Sequence, residues 1–241
     1  MAINEGEIMI DVGSAFLGAI FAFLFLLLQR LLSKIYQRKS KNLNAIVRLE
    51  QQLNEFLSIN NDNIFILGDF IKAVENKYLY NINFKKIEID RKIILDLNDI
   101  NFRNEVFDLH ISVYKVVESL KSIEEYYNEF KQAHLNGIIN KETFEFNTGE
   151  KFLIDLKFLK KSTENLDEKL EAIMSKTQVL FDYNETLLFK IIRKFSTRKY
   201  NSEKFVQDYK NRLQKIKKDR KESVKKSKKE IDAISGELSG K

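Results

Sequence analysis

The stretch Phe102–Phe130, "FRNEVFDLHISVYKVVESLKSIEEYYNEF", decides the fold class. Its residues Phe102, Val106, Leu109, Val113, Val116, Leu120, Ile123, Tyr127 and Phe130 step by four and three without a miss. That is the spacing of an α-helical seam, and a seam sustained this long needs a partner helix. Downstream, Phe152, Leu156, Leu159, Leu166, Leu170, Ile173, Leu180, Leu187, Ile191 and Phe195 hold a similar period, with polar gaps at Thr163 and Thr177. Each large apolar side chain buried contributes roughly 1.5–3 kcal/mol, so the seams offset the ordering of long helices only by meeting. Between them lies a connection from His134 to Thr148 that contains Gly137. Two seams joined this way read as an antiparallel pair, the core of an elongated helical bundle or coiled coil.

Composition agrees with that class. The chain has no Pro and only 8 Gly among 241 residues, so few positions break a helix. Sandwiches and barrels need more of both at their turns. The expected fold is all-α. The "TFEF" of Thr143–Phe146 reads as a short extended piece, and Asn147 with Glu150 reads as a capping box. Around 80–96, Ile87 and Ile89 alternate with charged residues, which leaves a short β-hairpin and an irregular connector both open. Upstream, Ile46, Leu49, Leu53 and Phe56 suggest a helical stalk. The polar run Asn60–Asn63, "NNDN", reads as a break before a second helix over 64–77.

The N-terminal region differs from all of this. From Val12 to Leu28 no residue is charged and nearly every side chain is apolar. With Gln29 to Leu32 the run reaches the ~20 residues that cross a bilayer core about 30 Å thick. A buried helix of a water-soluble domain seldom avoids polar residues for so long. A cleaved export signal carries positive charge before its apolar run, whereas "MAINEGEIMID" is acidic and no small-residue cleavage pattern follows. An uncleaved transmembrane helix over 12–32 is therefore expected. Arg30, Lys34, Arg38, Lys39 and Lys41 follow the span, and no basic residue precedes it. The positive-inside tendency puts residues 1–11 outside and the bulk of the chain in the cytoplasm, as in a bacterial inner membrane. The same five cations are placed to meet anionic lipid headgroups. Ser14, Gly18 and Ala22 recur every four residues, a strip on which a second span can pack closely.

The chemistry-bearing motifs are few. Cysteine is absent, which excludes disulfides and thiolate ligands, and the two histidines, His110 and His134, make a His-rich metal site in one chain unexpected. No phosphate-binding glycine loop or HExxH motif occurs, and no cofactor is expected. One arrangement stands out in "RNEVFDLH", where Arg103 and His110 lie seven apart and share one helix face. The spacing resembles the Arg-x4-6-His pattern of HEPN ribonuclease domains, and Asn104 supplies the polar residue that often follows the Arg. The resemblance implies RNA cleavage by residues paired from two subunits, with Arg103 stabilising phosphate charge and His110 moving a proton. The alternative is a surface Arg and a boundary His beside the seam.

Charge is uneven. Residues 210–241 hold twelve Lys or Arg against five Asp or Glu, so the basic character sits beside the apolar run and at the C-terminal end. With no aromatic residue after Tyr209, base stacking is poorly supported and a nucleic-acid partner is not expected. The organisation expected is therefore a short outer segment at 1–11, a span at 12–32 and a basic flank and stalk at 33–59. A cytoplasmic helical bundle at 60–209 and a basic helical or disordered tail at 210–241 complete it. The expected role is a membrane-anchored scaffold that self-associates or docks a helical protein partner.

Overall fold

The computed structural model describes residues 5–185 and 203–239, with side chains described over 19–183 and 203–223. Six helices occupy these residues: α1 (Glu5–Glu75), α2 (Arg91–Asp96), α3 (Ile100–Leu135), α4 (Lys141–Asn147), α5 (Glu150–Glu185) and α6 (Glu203–Ser239). No strand occurs among the described residues, and the fold is all-α. The chain divides into two compact units, Met1–Asn44 and Ala45–Lys241.

In the second unit, both seams are buried as their spacing implies. Phe102, Val106, Leu109, Val113, Val116, Leu120 and Tyr127 of α3 are in the core, with Ile123 and Phe130 packed at its margin. On α5, Phe152, Leu156, Leu159, Leu166, Leu170, Ile173 and Leu180 are buried. Thr163 and Thr177, the polar gaps, are fully buried too, because each hydroxyl donates to the carbonyl one turn back, at Leu159 and Ile173. Leu187, Ile191 and Phe195 lie outside the described residues.

Cross-links fix the directions. Going up α3, Glu105 meets Lys176, Ser112 meets Lys169, and Tyr126 stacks on Phe152, so α3 and α5 are antiparallel. The Ala45–Glu75 part of α1 is antiparallel to α5 as well, through Glu50–Gln178, Asn60–Thr163 and Glu75–Lys157. So α1 and α3 run the same way, and the chain must travel back between them.

The return is made by residues 78–90, an extended strap that descends antiparallel to both helices. Its alternation is real: Ile82, Phe84, Ile87 and Ile89 are buried between exposed neighbours. The hairpin left open around 80–96 is absent, because the strap's backbone bonds to side chains of the helices instead of to a second strand. Tyr80 N–H donates to the Tyr127 hydroxyl at 3.0 Å, and Phe84 N–H to Glu124 at 3.3 Å. Lys85 donates to Asn63 Oδ1 while its carbonyl accepts from Asn63 Nδ2, both at 2.9 Å. This two-way bond replaces a strand neighbour for one residue. Residues 91–96 then form α2, capped by Asp90, and Asp99 caps α3 through Phe102 N–H.

Three further expectations are corrected. The run Asn60–Asn63 does not break the helix; α1 passes through it. Each amide or carboxylate finds a tertiary partner, which removes the competition with the backbone that makes Asn a helix breaker. Thr143–Phe146 is helical rather than extended, inside α4, whose cap is Asn140 through Thr143 N–H. Asn147 does not cap α5; it ends α4 and its side chain bonds back to the Thr143 carbonyl.

Two helices end in the same hydrogen-bond pattern. At the end of α3, Gly137 takes φ 70°, with Gly137 N–H on the His134 carbonyl and Ile138 N–H on that of Ala133. At the end of α1, Lys77 takes φ 59°, with bonds from Lys77 to Val74 and from Tyr78 to Ala73. Glycine enters this left-handed position freely, whereas a residue with a Cβ adopts it at a cost of roughly 1 kcal/mol. Lys77 holds it with its ammonium on Glu145 at 2.7 Å.

Candidate functional site

The first unit consists of the N-terminal part of α1. Ser14 and Gly18 lie within this helix, and Ala22 is exposed. Ile20, Phe21, Phe23, Leu24, Phe25, Leu28, Leu31 and Leu32 are exposed as well. Among the described residues one helix is long and apolar enough to cross a membrane, with mean hydropathy 1.7 over its 18-residue window and none of that window buried. Arg30, Lys34, Arg38, Lys39 and Lys41 all follow on the same helix and are exposed. The seam Ile46, Leu49, Leu53 and Phe56, expected in a stalk, is instead buried in the second unit.

The second unit carries a groove between the strap and α3. It encloses about 740 Å³ and is lined by Phe84–Arg91 on one side and by His110, Tyr114, Val117, Lys121 and Glu124 among others on the opposite side. His110 Nδ1 is buried there and has no hydrogen-bond partner among the described residues. Arg103 sits one heptad before His110 on α3 and is half-buried, but it does not line the groove. The helix thus puts the two side chains on one strip, while the cavity takes only His110. Its charged lining is balanced, with Lys85, Lys86, Arg91 and Lys121 against Glu88, Asp90, Glu118 and Glu124.

A smaller cavity of about 390 Å³ lies near the C-terminal end of α1, lined by Tyr78, Tyr127, His134, Phe144 and Glu145 among others. His134 stacks on Phe144 with centroids 5.1 Å apart. The hydrogen bond from Lys77 holds the Glu145 carboxyl below its ordinary range. Burial pushes the Tyr127 hydroxyl above its ordinary range, against the lowering effect of the Tyr80 N–H it accepts. No group of three or more His, Cys, Asp or Glu that could hold a metal occurs among the described residues.

The least legible feature is a polar clasp. Arg220, on α6, reaches Asp167 at 2.7 Å and also bonds Glu171, both on α5, and reaches Asn61 of α1 at 2.7 Å. Burial works against its charge, but the hydrogen bonds and charges of Asp167 and Glu171 prevail and raise its pKa. Beneath it, Asn60 donates to Asp167 and to the Thr163 carbonyl. Phe205 is fully buried and Tyr209 packs on the core margin, so α6 is seated from Phe205 as far as Arg220. It runs antiparallel to α5, with Tyr183 on Asp208 at one level and Asp167 on Arg220 at another. Sequence reasoning placed a boundary between Tyr209 and Lys210, where the apolar residues thin. The signal it passed over was "NNDN" itself, four polar residues inside a helical period, each needing a partner.

No protein-family model, curated protein or solved structure matches the chain.

Proposed function

We propose that this chain is a single-pass, membrane-anchored interaction protein, with residues 1–11 outside and the bundle on the cytoplasmic side of a bacterial inner membrane. The observation that carries the reading is the N-terminal part of α1. None of its most apolar window is buried against the rest of the chain. Water does not tolerate a contiguous apolar surface of this extent, and soluble monomers rarely show one. Hydrocarbon satisfies every one of these side chains, and a helix satisfies its own backbone there. The exposed cations from Arg30 to Lys41 support an inner leaflet rich in anionic headgroups. Confinement to the bilayer raises the effective concentration of the bundle for partners in the same plane.

Flotation tests this. Full-length protein made in membranes is brought to alkaline carbonate and then centrifuged through a density gradient. It is expected to stay with the lipid. Recovery as dispersed protein in plain buffer would overturn the anchor and with it the proposed role.

A further inference from the structure

On α3 the buried seam is only one of two. Ile100, Phe107, Ile111 and Tyr114 are 64%, 49%, 38% and 61% exposed, on the face opposite Val106 and Leu109. Together with Asn104 and Glu118, both exposed, they fall at steps of four, three, four, three and four. That is a second heptad seam, with Ile100, Phe107 and Tyr114 at d positions and Asn104, Ile111 and Glu118 at a positions. Among the described residues these side chains remain exposed.

We propose that this outer face of α3 pairs in parallel with the same face of a second copy of the chain. Three features select that occupant. First, an Asn at an a position inside the seam fixes register and favours a two-stranded parallel pair, and Asn104 stands there between Ile100 and Phe107, while Glu118 ends the seam. Second, in such a pair each residue flanking the seam at g faces the e residue five positions on in its partner. Arg103 is at g and Asp108 at e, so opposite charges meet on both sides of the two-fold axis. Third, a stable interface in free solution takes roughly 800 Å² from each partner. Four partly exposed side chains supply only part of that, so the pair needs help from confinement in the bilayer. Copies held by one span share one side of the membrane and meet in its plane, which favours a closed two-fold pair. The proposal rests in this respect on the anchored reading.

The chain has no cysteine, so single cysteines report contacts without background. Full-length Phe107→Cys and Ile111→Cys are oxidised in native membranes, beside Phe158→Cys and Phe146→Cys, which are exposed on α5 and α4. A shift to disulfide-linked dimer is expected at 107 and 111 and none at 146 or 158. Adding Arg103→Asp to Phe107→Cys is expected to lower the dimer yield, and further adding Asp108→Arg to restore it. No dimer at 107 and 111, equal dimer at 158, or a crosslink to a different protein would each overturn the proposal. Flotation of the same samples separates the two readings. Protein that floats without crosslinking refutes the pair alone. Protein that crosslinks but does not float refutes the anchor alone.

Discussion

One helix, α1, is written in two ways. From Ile20 to Leu32 its apolar residues occupy every face and all are exposed. From Ala45 to Ile71 most follow one strip, and Ala45, Ile46, Leu49, Leu53, Phe56, Leu67 and Phe70 are buried while mainly polar residues, with the exposed Phe65, cover the other sides. The backbone is the same, and under the proposed anchor the difference lies in what surrounds it. An apolar stripe suffices where protein covers one face and water the other. An apolar girdle is needed where hydrocarbon meets all faces. Two substitutions on this single helix should therefore have separable consequences.

The larger effect is expected in the girdle. Replacing Leu by Arg at the centre of a span costs about 3 kcal/mol on insertion scales, so Phe21→Arg with Leu24→Arg removes about 6 kcal/mol. The double variant should be lost from the floating fraction, while thermal unfolding of its bundle in detergent, followed by circular dichroism, is unchanged. A fall in melting temperature as large as that of a core variant would erase the distinction between the two parts. In the stripe, Leu53 is fully buried. Leu53→Ala should cost about 3 kcal/mol from lost transfer energy and the cavity left behind. Here the melting temperature should fall and flotation should be unchanged.

How far these differences were legible follows from which residues needed a distant partner. The seams of α3 and α5 were readable because periodicity is local, and the girdle because it needs no partner at all. The strap was half legible. Alternation at Ile87 and Ile89 gives an extended chain, but whether it pairs with a strand depends on Asn63, Glu124 and Tyr127, which are remote in sequence. The clasp was hidden for the same reason. Asn61, Asp167, Glu171 and Arg220 come from three helices, and no spacing rule connects them. The outer seam of α3 was present in the sequence all along. Only burial of the stronger inner seam separates it as a second, uncovered face.

The smallest effect sharpens the comparison at the far end of the stripe, where Phe70 of α1 packs edge-on against Tyr127 with ring centroids 4.7 Å apart. The Tyr127 hydroxyl is the acceptor for the strap's Tyr80 N–H, and Tyr127 is 1% exposed. Tyr127→Phe keeps the ring contacts and removes the acceptor, leaving a part-buried donor unpaired, which costs about 1 kcal/mol. The same hydroxyl gives this site a pH signature. Its folded pKa is raised above the ordinary 10.0, chiefly by burial. Above that value the unfolded chain gives up the proton and the folded chain keeps it, so the unfolded state binds fewer protons and stability falls as pH rises. Below it both states are protonated and the term is constant. Denaturant melts of the full chain in detergent at neutral and alkaline pH should show Tyr127→Phe less stable at neutral pH, with the gap to the parent narrowing above pH 10.0. A gap that stays constant would mean that the hydroxyl is not sheltered by the strap. A variant as stable as the parent at neutral pH would mean that Tyr80 N–H is satisfied without it.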